Sequence, residues 1–172
     1  YSSSTVGGRG LVGISPLIWN NDGWLCDDKR RTLLYASGAN NAGTQSIFTT
    51  KYRKVTESSD YAPHIRYAEV LLTLAEAEAR QAAGVSTRAV DLLNAVRNRV
   101  LANPGAQAYT AGSFANKNAL IRAILLERRI EFLGKYNQSN AEAPQSMLLM
   151  VAPDIKGAWD WTSIVDGVLS TM

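Results

Sequence analysis

One cysteine, Cys26, and one histidine, His64, are all that the 172 residues hold of the side chains that most often ligate metals or act as nucleophile and base. A single thiol excludes an internal disulfide framework and any metal site built on paired thiolates, and a lone imidazole supplies neither a metal site nor a catalytic triad. Charge of one sign is also scarce: 18 Lys plus Arg against 15 Asp plus Glu leave a net +3, too small and too scattered for a nucleic-acid footprint. The adjoining basic residues Lys29-Arg30-Arg31 and Arg128-Arg129 have acidic neighbours and read as a solvated or salt-bridged face. No apolar run approaches the ~20 residues that span a bilayer, and residues 1–10 lack a charged start followed by an apolar stretch, so no membrane span or signal peptide is read.

What the chain does have is apolar content, 46%, enough to bury a core and to suit one domain over residues 1–172. Residues 1–60 are rich in Gly, Ser, Asn and Thr without helical periodicity, and read as loops with brief strands such as Gln45 to Arg53. Beyond Pro63 the pattern changes. Ile65, Ala68, Leu72, Ala75 and Ala79 recur at helical spacing, with Glu69, Thr73, Glu76 and Arg80 on the other side. This predicts an amphipathic helix near 63–82, with Pro63 in its first turn, Glu76 and Arg80 as an i,i+4 pair and Gly84 just past its end. Ser86 suits the N-cap of a second helix near 87–102, whose stripe is Ala89, Leu92, Leu93, Val96 and Val100. The two make an antiparallel, tetratricopeptide-like hairpin, ended by Asn103-Pro104-Gly105. A third helix is expected over 117–133, with Leu120, Ile121, Ile124, Leu125 and Ile130 inward and Gly134 as a left-handed terminator. The expected fold is therefore mainly α, with a helical core at 61–134 and an irregular tail at 135–172, where Pro144 and Pro153 break the chain.

Within this frame, residues 63–80, PHIRYAEVLLTLAEAEAR, closely resemble the signature of SusD/RagB nutrient-uptake lipoproteins. Further blocks stand in that family's order: Asp28-Lys29-Arg30 and Lys51-Tyr52 before it, Leu93-Asn94-Ala95-Val96-Arg97-Asn98-Arg99 after it, then Glu127-Arg128-Arg129-Ile130-Glu131-Phe132. The chain departs from the family after Leu133, where Gly134 leads into Lys135-Tyr136-Asn137-Gln138, and Cys26, in Gly-Trp-Leu-Cys, is no lipoprotein cleavage box. The resemblance implies the carboxy-terminal part of a non-catalytic capture protein on the extracellular face of the bacterial outer membrane, anchored by an upstream lipid. Such a protein holds glycans, or in the RagB branch peptides, for a TonB-dependent transporter of the SusC type. A helical-hairpin adaptor with protein ligands is the alternative from another class.

Four glutamates, Glu69, Glu76, Glu127 and Glu131, could be arranged as the paired carboxylates of a glycosidase. Their helical spacing equally fits ion pairs with Arg66, Arg97, Arg99 and Arg128, and a carboxylate held by Arg keeps a pKa too low for general-acid work. No catalytic residue, cofactor or metal is expected, and Arg97 with Glu127 is the expected structural pair between the second and third helices. His64 reads as structural or exposed, and Tyr52 and Tyr67 as packing residues. Ligand contact falls to the loop Trp19, Asn20, Asn21, Asp22, Gly23, Trp24, where indole faces adjoin amides and a carboxylate able to bind sugar hydroxyls, with a flexible Gly23 letting one ring turn toward the other. Two readings of Trp19 and Trp24 stand open, a stacking platform or plugs of the helical core; Trp159 and Trp161 flank Asp160 in the same style.

Overall fold

A computed structural model describes residues 13–51, 54, 59–60 and 65–133. Pro63, His64, Tyr52 and Gly134 lie outside the described residues, as does the whole of 135–172 with Trp159, Asp160 and Trp161. Among the described residues there are six helices and one two-stranded sheet, so the fold is mainly α.

Two short helices precede the sheet. Helix α1, Pro16–Trp19, has Ser15 as its N-cap and Pro16 in its first turn; α2, Lys29–Leu33, is capped by Asp28, whose carboxylate accepts from the Arg30 amide. Both fall in the region read as loop and brief strand, because four or five residues are too few to show a helical period. Strands β1, Tyr35–Ala39, and β2, Gln45–Thr49, pair antiparallel with Tyr35 opposite Thr49. In their connection the Asn40 side chain accepts from the amides of Ala42 and Thr44, and Gly43 takes φ +76°, a left-handed conformation that glycine adopts without Cβ strain.

The three long helices stand where periodicity predicts them, with shorter ends: α3 is Tyr67–Gln81, α4 Thr87–Arg97 and, after the short α5 at Pro104–Gln107 and a 3-10 turn at Ala111–Ser113, α6 is Lys117–Phe132. Ser86 caps α4 by accepting from the Ala89 amide, and Asn116 does the same for α6 through Ala119. Ala68, Leu72, Ala75 and Ala79 of α3 bury against Ala89, Val90, Leu93 and Val96 of α4 and Leu120 and Ile124 of α6. Alanines at three of four α3 positions let the backbones approach closely. Ile65, assigned to this stripe from its spacing, is instead exposed ahead of the helix, and Tyr67, Val70 and Leu74 add to an apolar flank on the outer side of α3.

A second cluster joins Ile18, Trp24 and Tyr35 to Ile130 and Leu133. Helix α6 therefore serves both clusters, with Leu120, Ile124 and Phe132 against the hairpin and Leu126 and Ile130 against residues 14–47.

Candidate functional site

The loop between α1 and α2 is shaped by its own polar groups and by what it lies on. Asn21 accepts from the amide of Gly23 through its side chain and from that of Trp24 through its carbonyl, a turn that brings the chain back toward α6. Gly23 approaches α6 closely there: a Cβ at this position would crowd Cδ2 of Leu126, the end of a side chain that would have to turn aside. Trp19, Trp24 and Tyr35 meet edge to face, with centroids 5.2, 5.9 and 5.6 Å apart.

The five expected contact residues thus separate. Asn20, Asn21 and Asp22 are exposed and Trp19 is half-buried, whereas Trp24 is only 2% exposed and packs with Tyr35 and Ile130. Trp24 is core, since a ring so enclosed has no face left for a sugar, and the expectation of two stacking tryptophans is corrected to one candidate, Trp19. The guanidinium of Arg31 lies 4.6 Å from the Trp19 ring centroid and 4.5 Å from that of Trp24.

Behind this loop lies a buried charge network. Arg30 bonds Asp28 at 2.7 Å, Glu127 at 2.7 Å and Glu131 at 3.0 Å, and all four side chains are buried. Glu127 and Glu131, one helical turn apart on α6, present both carboxylates to one guanidinium. Burial would lower the pKa of Arg30, but hydrogen bonds and charge from Asp28 and Glu127 outweigh it and hold Arg30 above its ordinary value. Burial pushes the Glu127 carboxyl upward against the pull of Arg30. With a guanidinium that cannot lose its proton 2.7 Å away, the ionised pair is the state the geometry supports.

Arg97 does not pair with Glu127. It lies over Tyr109 at 4.2 Å and donates to the Gln107 carbonyl at 2.6 Å, while Asn94, one turn earlier, exchanges two hydrogen bonds with the Tyr109 backbone. Both side chains hold the loop before α6 onto α4, which turns Arg97 away from the carboxylates. The link from this stretch to α6 is made by Arg99, whose guanidinium meets Glu131 at 3.2 Å. Glu76 pairs with Arg80 as its i,i+4 spacing predicts, and also with Arg128 across the helix interface. At the carboxyl end of α6, Lys51 donates to the carbonyls of Glu131 and Leu133, and Arg66 to that of Glu131, placing cations where the helix dipole is negative. Burial, helped by the charge of Arg66, lowers the Lys51 pKa to about 8.

Composition alone underrated Arg30, Arg31 and Asp28. The basic run read as a surface face has Arg30 fully buried and Arg31 half-buried. The signal that could have found them is the pair of blocks quoted above: an Asp-x-Arg at a helix start and a Glu-x-x-x-Glu on a helix are complementary, and here they bond each other. Among the described residues no group of three or more His, Cys, Asp or Glu is placed to hold a metal ion.

A family model described as the SusD family matches residues 35–138, more than half of the chain. The chain belongs to the SusD family. SusD-family proteins take part in nutrient uptake as binding proteins at the cell surface and are in general not catalysts. The matched span holds α3, α4, α6 and Lys51, while Asp28, Arg30 and the Trp19–Trp24 loop lie ahead of it, bonded to or packed on SusD-family residues of α6. No helix among the described residues is long and apolar enough to cross a membrane. No curated protein and no solved structure matches the chain.

Proposed function

We propose that this SusD-family chain captures glycan, as oligosaccharide or polysaccharide, without catalysis, at the extracellular face of the bacterial outer membrane. Delivery would be to a SusC-type TonB-dependent transporter, and attachment to the membrane through a lipid anchor upstream of this sequence. Family membership carries the class of function. The glycan preference is supported by one local observation: exposed Asn20, Asn21 and Asp22 adjoin the half-buried indole of Trp19, and sugars need an apolar face beside amide or carboxylate partners. Absence of catalysis is supported by the engagement of Glu127 and Glu131 with Arg30, which leaves neither poised to donate a proton.

Calorimetry with maltoheptaose, cellohexaose and a mixed peptide pool tests the reading. Saturable binding of a glycan is expected, weakened by about 1 kcal/mol or more in Asn20→Ala or Asp22→Ala, with unchanged melting because both side chains are exposed. Binding of peptide alone would move the function to the RagB-type branch. A protein-binding adaptor is the second reading, favoured by the apolar flank of Ile65, Tyr67, Val70 and Leu74; binding to neither glycan nor peptide would leave it standing.

A further inference from the structure

Arg31 touches both ends of the contact loop. Its Nη2 donates to the carbonyls of Trp19 at 2.7 Å and Trp24 at 2.6 Å, and its Nε to that of Leu25 at 2.9 Å. The same guanidinium lies against both indoles, which themselves meet edge to face. A planar cation with donors in a fixed fork can satisfy several carbonyls while lying over aromatic faces; an ammonium, compact and on a flexible stem, cannot reproduce that geometry. The loop also rests on Leu126 of α6 through Gly23, so Arg31 and α6 both hold it.

We propose that Arg31 is the positioning residue of the Trp19–Trp24 loop, holding both indoles and three backbone carbonyls in one arrangement and so setting the surface that Trp19, Asn20, Asn21 and Asp22 present to a glycan. It seats Trp24 in the core, which leaves Trp19 as the loop's ring at the surface. The functional meaning rests on the capture reading above; the positioning can be read without any sugar.

The indole N–H of Trp24 supplies the readout. It is buried and has no hydrogen-bond partner among the described residues, so its protection from solvent exchange reports how often the loop opens rather than the strength of a bond. Exchange is measured by 15N NMR on the full chain as wild type, Arg31→Met and Arg31→Lys. Both variants are expected to exchange about ten- to a hundredfold faster at Trp24, the range of one charge-assisted hydrogen bond lost, with the Leu72 and Leu93 amides still protected. Wild-type exchange in Arg31→Met would overturn the proposal. Full protection in Arg31→Lys would overturn the role of the fork and leave only charge. If Arg31→Met does not fold, Arg31→Lys decides by the same reading. With maltoheptaose and cellohexaose as probes, affinity is expected to fall in step with the faster exchange; a loop that opens faster yet binds as the wild type would also overturn it. A wild type that binds neither probe counts against glycan capture, and the exchange rates then decide the positioning alone.

Discussion

At Arg30, three carboxylates converge on one buried guanidinium, and the free energy of that arrangement depends on every partner staying in place. Removing one member of a buried ionic group leaves the others desolvated without compensation, which costs more than an exposed pair contributes. Arg30→Met is therefore expected to lower stability by about 3–5 kcal/mol, since it strands Asp28 and Glu127 and leaves Glu131 only Arg66 and Arg99. Double-mutant cycles in urea test the wiring. Arg30→Met and Glu127→Gln should couple by about 1 kcal/mol or more, whereas Arg97→Met and Glu127→Gln should add to within about 0.5 kcal/mol, as expected of side chains that share no bond. Coupling of Arg97 instead of Arg30 would show the network to be drawn wrongly.

Between elements, contact is set by residues small enough to permit it. The α1–α2 loop meets α6 at Gly23 and Leu126, as α3 meets α4 through Ala75, Ala79 and Ala89. A methyl group at Gly23 would crowd Leu126 Cδ2 more closely than unbonded carbons approach, although that atom ends a side chain able to turn aside. Gly23→Ala should thus cost about 1 kcal/mol, the low end for an added methyl, and in a Leu126→Ala background its cost should fall toward zero because the obstacle is gone. Equal costs in both backgrounds, measured by thermal or urea unfolding, would place the strain elsewhere.

Across the whole molecule, α6 is the common member: it packs on the α3–α4 hairpin, receives Arg30 and Arg99 on its carboxylates, and ends under Lys51 and Arg66. Lys51 carries a pH signature. Burial and Arg66 lower its pKa from 10.5 to about 8, so between those values the unfolded chain keeps a proton that the folded chain has released. Stability from this group therefore rises with pH through that window and is least favourable below it. From about pH 7.5 to about pH 9.5 the wild type should gain stability relative to Lys51→Met in urea titrations. A difference that stays flat, or runs the other way, would exclude an ammonium held in this environment. The sequence by itself determined the three long helices, the cap of the second at Ser86 and most of their buried faces, because a 3.6-residue period and capping side chains act within a few residues. It also determined the family, through blocks whose order is visible along the chain. Partner choice was left to the tertiary structure. The helical spacing of Glu127 is compatible with an arginine partner, but several arginines are chemically equal candidates, and the burial that makes a partner necessary is itself tertiary. Arg30 wins from 97 positions away because the segment before β1 crosses α6 there, while Arg97 is turned toward the loop before α6. The same holds for the tryptophans: both adjoin the same polar residues in sequence and both touch Tyr35 and Arg31, and only the packing that encloses Trp24 among Ile18, Tyr35 and Ile130, with Trp19 at the edge of that cluster, makes one core and leaves the other half-buried.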